Sequence, residues 1–175
     1  MTTAALSRPA TNATWINTFI VIGSLMFIVA LAVSALFAPQ WRVLHVLQGS
    51  IYVIVIILTR RQSAWGFGAG ALTATFWNLL VLFRSPVGAE GLHAIGSLLR
   101  GGSARPDILL QLFGACGHFL IIAACLVGFL SLRPQERQWG RFVVGGVLAI
   151  AFLLAMAFTA GPPEAAVNIK HALGL

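Results

Sequence analysis

The chain has 175 residues, 59% of them hydrophobic and only 9% charged, against roughly a quarter charged in an ordinary soluble domain. That composition excludes a water-soluble globule, and also a disordered chain, which needs low hydrophobicity. Eleven Lys and Arg against four Asp and Glu give a net charge of +7. The basic residues fall between apolar runs rather than on one face, so they read as topology determinants and lipid-headgroup contacts, not as a nucleic-acid surface.

Five apolar runs are long enough to cross a bilayer, whose hydrocarbon core takes about 20 helical residues. The first covers 16–37 and is closed by Pro39; the polar stretch before it, 1–14, lacks an apolar core of its own and reads as an uncleaved tail. The second, 42–59, ends at Arg60 and Arg61, and the third, 64–83, is stopped by Arg84 and Pro86. The fourth, 108–131, opens on Arg105, Pro106 and Asp107, with proline in the first turn and an acid at the positive helix end. The fifth, 141–160, is stopped by Gly161, Pro162 and Pro163. Continuous runs such as 51–58 argue against barrel strands, which alternate over about ten residues. The expected fold over 1–175 is therefore a single all-α integral membrane domain, a five-helix transmembrane bundle.

Two connections are more than turns. The segment 87–100 puts Leu92, Ile95 and Leu99 on one helical side and Glu90, His93, Ser97 and Arg100 elsewhere. It predicts a short amphipathic helix lying on the membrane between spans three and four, followed by a Gly101-Gly102-Ser103 break. The segment 162–175 suggests a second such helix, with Ala166, Ile169 and Leu173 on one side.

Orientation rests on Lys and Arg. The side of the N-terminus holds Arg8, Arg60, Arg61, Arg133, Arg137 and Arg141; the opposite side holds Arg42, Arg84, Arg100, Arg105 and Lys170. The tight clusters lie in the short loops of the first group, which predicts a multi-pass cell-membrane protein with its N-terminus cytoplasmic and its C-terminus outside.

Small residues mark helix contacts. Gly66, Gly70 and Ala74 recur every four residues on span three, and Gly145 and Ala149 do so on span five; such rows let backbones approach closely within a bundle or between protomers. Cys116 and Cys125, nine residues apart in one span, read as small packing residues leaning to a similar side, too far apart along the helix for a disulfide.

Polar side chains within the spans are the sharper signal. No Asp, Glu, Lys or Arg lies deep in any span, which counts against proton- or cation-coupled transport. His45, Gln48 and Tyr52 share one face of span two, Asn78 lies on span three, and Gln111 and His118 share a face of span four. Three roles compete for these groups. They can hydrogen-bond between helices and specify packing at ~0.6 kcal/mol each. They can line a neutral polar pocket in the outer half of the bundle, covered by the 87–100 helix, that binds or passes a small ligand. Or His45, His93 and His118 are candidate ligands for a metal ion or haem. Against haem, His45 and His118 sit at different depths, offset by ~8–10 Å at 1.5 Å per residue. No paired carboxylates, Cys-x-x-Cys, phosphate loop or Gly-x-Ser-x-Gly occurs, so no enzymatic role is expected. The reading that combines these features is a ligand-binding membrane protein in contact with the bilayer, working as a homo-oligomer or as a subunit of a larger membrane complex. The runners-up are a His-ligated redox subunit and a pure assembly subunit.

Overall fold

The computed structural model describes residues 10–84 and 87–173. All regular structure among them is helical: α1 (Ala10–Phe37), a 3-10 turn (Pro39–Trp41), α2 (Arg42–Arg60), α3 (Ala64–Arg84), α4 (Val87–Leu99), α5 (Pro106–Leu130), α6 (Trp139–Thr159) and α7 (Pro163–Leu173). Five of these, α1, α2 with its preceding turn, α3, α5 and α6, are long and apolar enough to span a membrane. The chain is a multi-pass helical membrane bundle. Helix α1 starts at Ala10 and so takes in part of the stretch expected to be a tail, whose first nine residues lie outside the described ones, as does the stop expected at Pro86.

Each span sorts its residues by face. On α2 the buried positions are Leu44, Gln48, Ile51, Tyr52, Val55 and Thr59, steps of three and four with one adjacent pair that trace a single stripe. Val43, Val46, Val53, Ile54 and Ile57 on the other side are exposed. In water such a surface would be an aggregation liability, whereas in a bilayer it is the lipid-facing shell.

Helix α5 packs against α1, α3 and α4. Its approach to α1 is set by two glycines. A Cβ on Gly23 would stand 2.5 Å from the Gly117 carbonyl oxygen, and one on Gly117 would stand 2.6 Å from that of Gly23. No side chain larger than hydrogen fits at that crossing. Helices α3 and α6 meet through their N-terminal halves, where Gly68 lies against Phe142, Gly145 against Trp65 and Gly146 against Leu72. Gly66, Gly70, Ala74 and Gly145 are thus buried within this chain's own bundle, and Ala149 packs against its core. The cysteines correct the expectation of a shared side. Nine residues are two and a half turns, so Cys125 is buried beside Gly70 while Cys116 faces outward.

The two short helices lie at the same end of the bundle, the end where α1 passes into α2. Helix α4 turns its small side inward, Gly91 against Leu112 and Ala94 clustered with Val81 and Ile108. Leu92, Ile95 and Leu99 remain exposed, as in a helix that presents its apolar side to a membrane surface. Its C-terminus closes with Gly101 at φ 75°, and the Gly102 N–H bonds the Ser97 carbonyl, an arrangement that requires a residue free of Cβ strain. Helix α7 buries Ala165 and packs Ile169 partly against the core, one turn apart; the side chain of Leu173 lies outside the described residues. At the opposite end, Arg137 donates from Nη2 to the Leu130 and Leu132 carbonyls, at 2.5 and 3.1 Å, satisfying acceptors that the end of α5 leaves open.

Candidate functional site

The six polar side chains singled out in the spans do not form one pocket; they separate into two tiers. The deeper tier joins three helices. Tyr52 of α2, Asn78 of α3 and His118 of α5 are 1%, 4% and 0% exposed, so each must find its partners inside the protein. The Tyr52 hydroxyl lies 2.7 Å from His118 Nε2, His118 Nδ1 lies 3.1 Å from Asn78 Oδ1, and Asn78 Nδ2 donates to the Ala115 carbonyl at 3.4 Å. Because the Asn78 amide nitrogen donates, its Oδ1 accepts. This network assigns the His118 proton to Nδ1 and leaves Nε2 to accept from the Tyr52 hydroxyl. Aromatic rings enclose the imidazole: Phe27 at a centroid distance of 4.0 Å and Trp77 edge-on at 5.5 Å.

Both ring nitrogens of His118 are therefore engaged, and a metal ion there would have to displace Tyr52 or Asn78. His93 is exposed on α4, and the side chain of His171 lies outside the described residues. Among the described residues no three His, Cys, Asp or Glu side chains converge. Ser50, on the same span as His45, donates its hydroxyl to the Leu47 carbonyl of its own helix at 2.6 Å, so the two do not form a nucleophilic pair.

The upper tier is a cavity of about 720 Å³ bounded by α1, α2 and α5, with Trp77 of α3 at its floor. That volume falls in the range of small-molecule sites, roughly 300–1,000 Å³, which are apolar with a few placed polar groups. His45 and Gln111 line it together with Ser34 and Asp107. The His45 ring lies nearly parallel to Trp41, 6.1 Å between centroids, and its Nδ1 has no hydrogen-bond partner among the described residues. Gln48, one turn deeper and 9% exposed, likewise has no partner there for Oε1. Asp107 is held by Arg105 through paired contacts of 2.6 and 3.2 Å, and Arg105 also reaches Glu90 of α4 at 3.1 Å. The hydrogen bond to Asp107 raises the pKa of Arg105, so the one carboxylate at the rim is matched by a firmly charged guanidinium.

The lid was expected to be α4, and this is corrected. No α4 residue lines the cavity, because α4 packs against α3 and α5 while the cavity opens between α1, α2 and α5. Its mouth is formed by the 3-10 link at Trp41 and by Pro106 and Asp107 at the start of α5. Sequence reasoning also missed the contribution of α1. Phe27, Ala30, Leu31, Ser34 and Ala38 recur at three and four residues along the cavity wall. The available signal was a run of small side chains, Ala30, Ser34 and Ala38, on one face of an otherwise bulky helix.

No family model, curated protein or solved structure matches the chain.

Proposed function

We propose that this multi-pass protein binds a small ligand in the cavity between α1, α2 and α5, in the half of the bundle turned away from the cytoplasm. The observation that carries the reading is the cavity, about 720 Å³ with the imidazole of His45 and the amide of Gln111 in an apolar and aromatic wall. The Tyr52–His118–Asn78 triad serves as its scaffold, fixing Phe27 and Trp77 as the floor. The basic loops at Arg60–Arg61 and Arg133–Arg141 support an N-terminus in the cytoplasm, with α4, α7 and the cavity mouth outside.

The test is native mass spectrometry of the purified chain alongside thermal unfolding with a panel of small amphipathic compounds. An adduct, or a ligand-dependent rise in melting temperature, is expected for the native chain. Ser34→Phe, which puts a ring into the cavity, should remove both while leaving the helical content unchanged. A native chain that carries no adduct and is stabilised by none of the compounds refutes the reading. A reporter active only outside the cytoplasm, fused after α7, should be active; silence would reverse the orientation.

A further inference from the structure

We propose that the ligand is an amphiphile drawn from the membrane leaflet on the α4 side, its hydrogen-bonding head at the rim near Trp41 and Gln111 and its apolar body reaching down to Phe27 and Trp77. The inference rests on reading the cavity as a ligand site and adds the class and orientation of what enters it.

The cavity wall on α1 runs from Ala38 at the mouth to Phe27 at the floor, about 16 Å at 1.5 Å per residue. That is about half of a ~30 Å hydrocarbon core, the depth of one leaflet. Polarity changes along the same path. Asp107, Gln111 and His45 belong to the starts of α5 and α2, near the mouth, whereas the floor is aromatic. The groups behind that floor are already committed, since His118 uses both nitrogens and Asn78 both ends of its amide. A wholly polar solute would lose its hydration at the floor and gain no hydrogen bond in return. An apolar body loses nothing there.

Phe37 lines the cavity and is 84% exposed, next to Leu36 at 70% on the lipid-facing surface of α1. The mouth therefore carries an exposed aromatic side chain at the end of α1, past which an apolar body can enter. The charged group lining the mouth, Asp107, is already paired with Arg105, which leaves the amide of Gln111 to meet the acceptor oxygens of a head group.

Two of the five tryptophans make this measurable. Trp41 stands at the mouth and Trp77 at the floor, whereas Trp15, Trp65 and Trp139 start their helices at the opposite end of the bundle. The full chain in detergent is titrated with a long-chain fatty acid brominated near its carboxylate, and with the same acid brominated near its methyl end. The first should saturably quench Trp41 and the second Trp77, assigned through Trp41→Phe and Trp77→Phe, and Ser34→Phe should weaken both at least tenfold. A reversed or uniform pattern that saturates overturns the orientation and leaves the ligand site standing. Quenching that never saturates, in a chain that a short polar compound does stabilise, overturns the amphiphile and again spares the site. Failure of the fatty acids together with every compound of the panel overturns both.

Discussion

Tyr52, Asn78 and His118 are where a single atom matters most. Tyr52→Phe removes the hydroxyl that donates to His118 Nε2 and leaves a fully buried ring nitrogen without its partner. Interhelical hydrogen bonds in membranes average about 0.6 kcal/mol and reach about 1.7, and an orphaned buried acceptor adds its desolvation cost. A loss of about 1 kcal/mol is expected in reversible unfolding from mixed micelles, and a change below about 0.3 kcal/mol would deny the triad its packing role. Asn78→Ala should be non-additive with Tyr52→Phe, since both act on one imidazole; simple additivity would separate the two bonds. The sequence showed these residues as polar groups at membrane depth, because helical spacing puts His45, Gln48 and Tyr52 on one face. It did not show that Tyr52 would close onto His118 while His45 turned to a cavity. That division depends on how α1 and α3, which pack against both helices, set the depth of α2 relative to α5, and the α1 side chains that do so carry no polar signal.

Between helices, contact is governed by the room that glycine leaves. Gly117→Ala would drive a methyl into the Gly23 carbonyl oxygen, and overpacking of this kind costs about 1–3 kcal/mol. Gly140→Ala, in the first turn of α6 with nothing within 4 Å of the added carbon, should be neutral or stabilising by up to about 1 kcal/mol. Thermal unfolding of the two variants side by side checks the contrast, and equal effects would mean that the α1–α5 crossing is looser than described. At the rim, Arg105 ties α4 to the start of α5 through Glu90 and Asp107. Arg105→Gln should speed amide exchange across Val87–Leu99 without touching the spans, and high salt should partly reproduce the effect in the native chain. Unchanged exchange in α4 would show that Gly91 and Ala94 hold it alone. The helices and their ends were legible from runs of apolar residues and their prolines, and α4 from its spacing. The pairing was not: small-residue rows on α3 and α6 are visible as such, yet nothing local says that Gly23 meets Gly117, four α-helices further along the chain.

Taken whole, the bundle distributes burial against apolarity. Helix α3 is the least hydropathic of the five spans and the most enclosed, 56% of its span buried, while α1 is the most hydropathic and only 33% buried. A helix that faces lipid needs apolar side chains all round, whereas one surrounded by protein can carry Thr73 and Asn78. Fused alone to a translocation reporter, α3 should insert with lower efficiency than α1, and equal insertion would break the link between enclosure and composition. The Gly23–Gly117 crossing extends this to the order of synthesis. Gly23 leaves the ribosome about 90 residues ahead of its counterpart, a delay of about 5 to 20 seconds at ordinary elongation rates. Through that interval the nascent α1 resides in lipid without its partner, and α3 waits at the translocon for α5 to enclose it. A chain arrested before α5 would leave Asn78 without its Ala115 and His118 partners, a buried amide turned toward hydrocarbon.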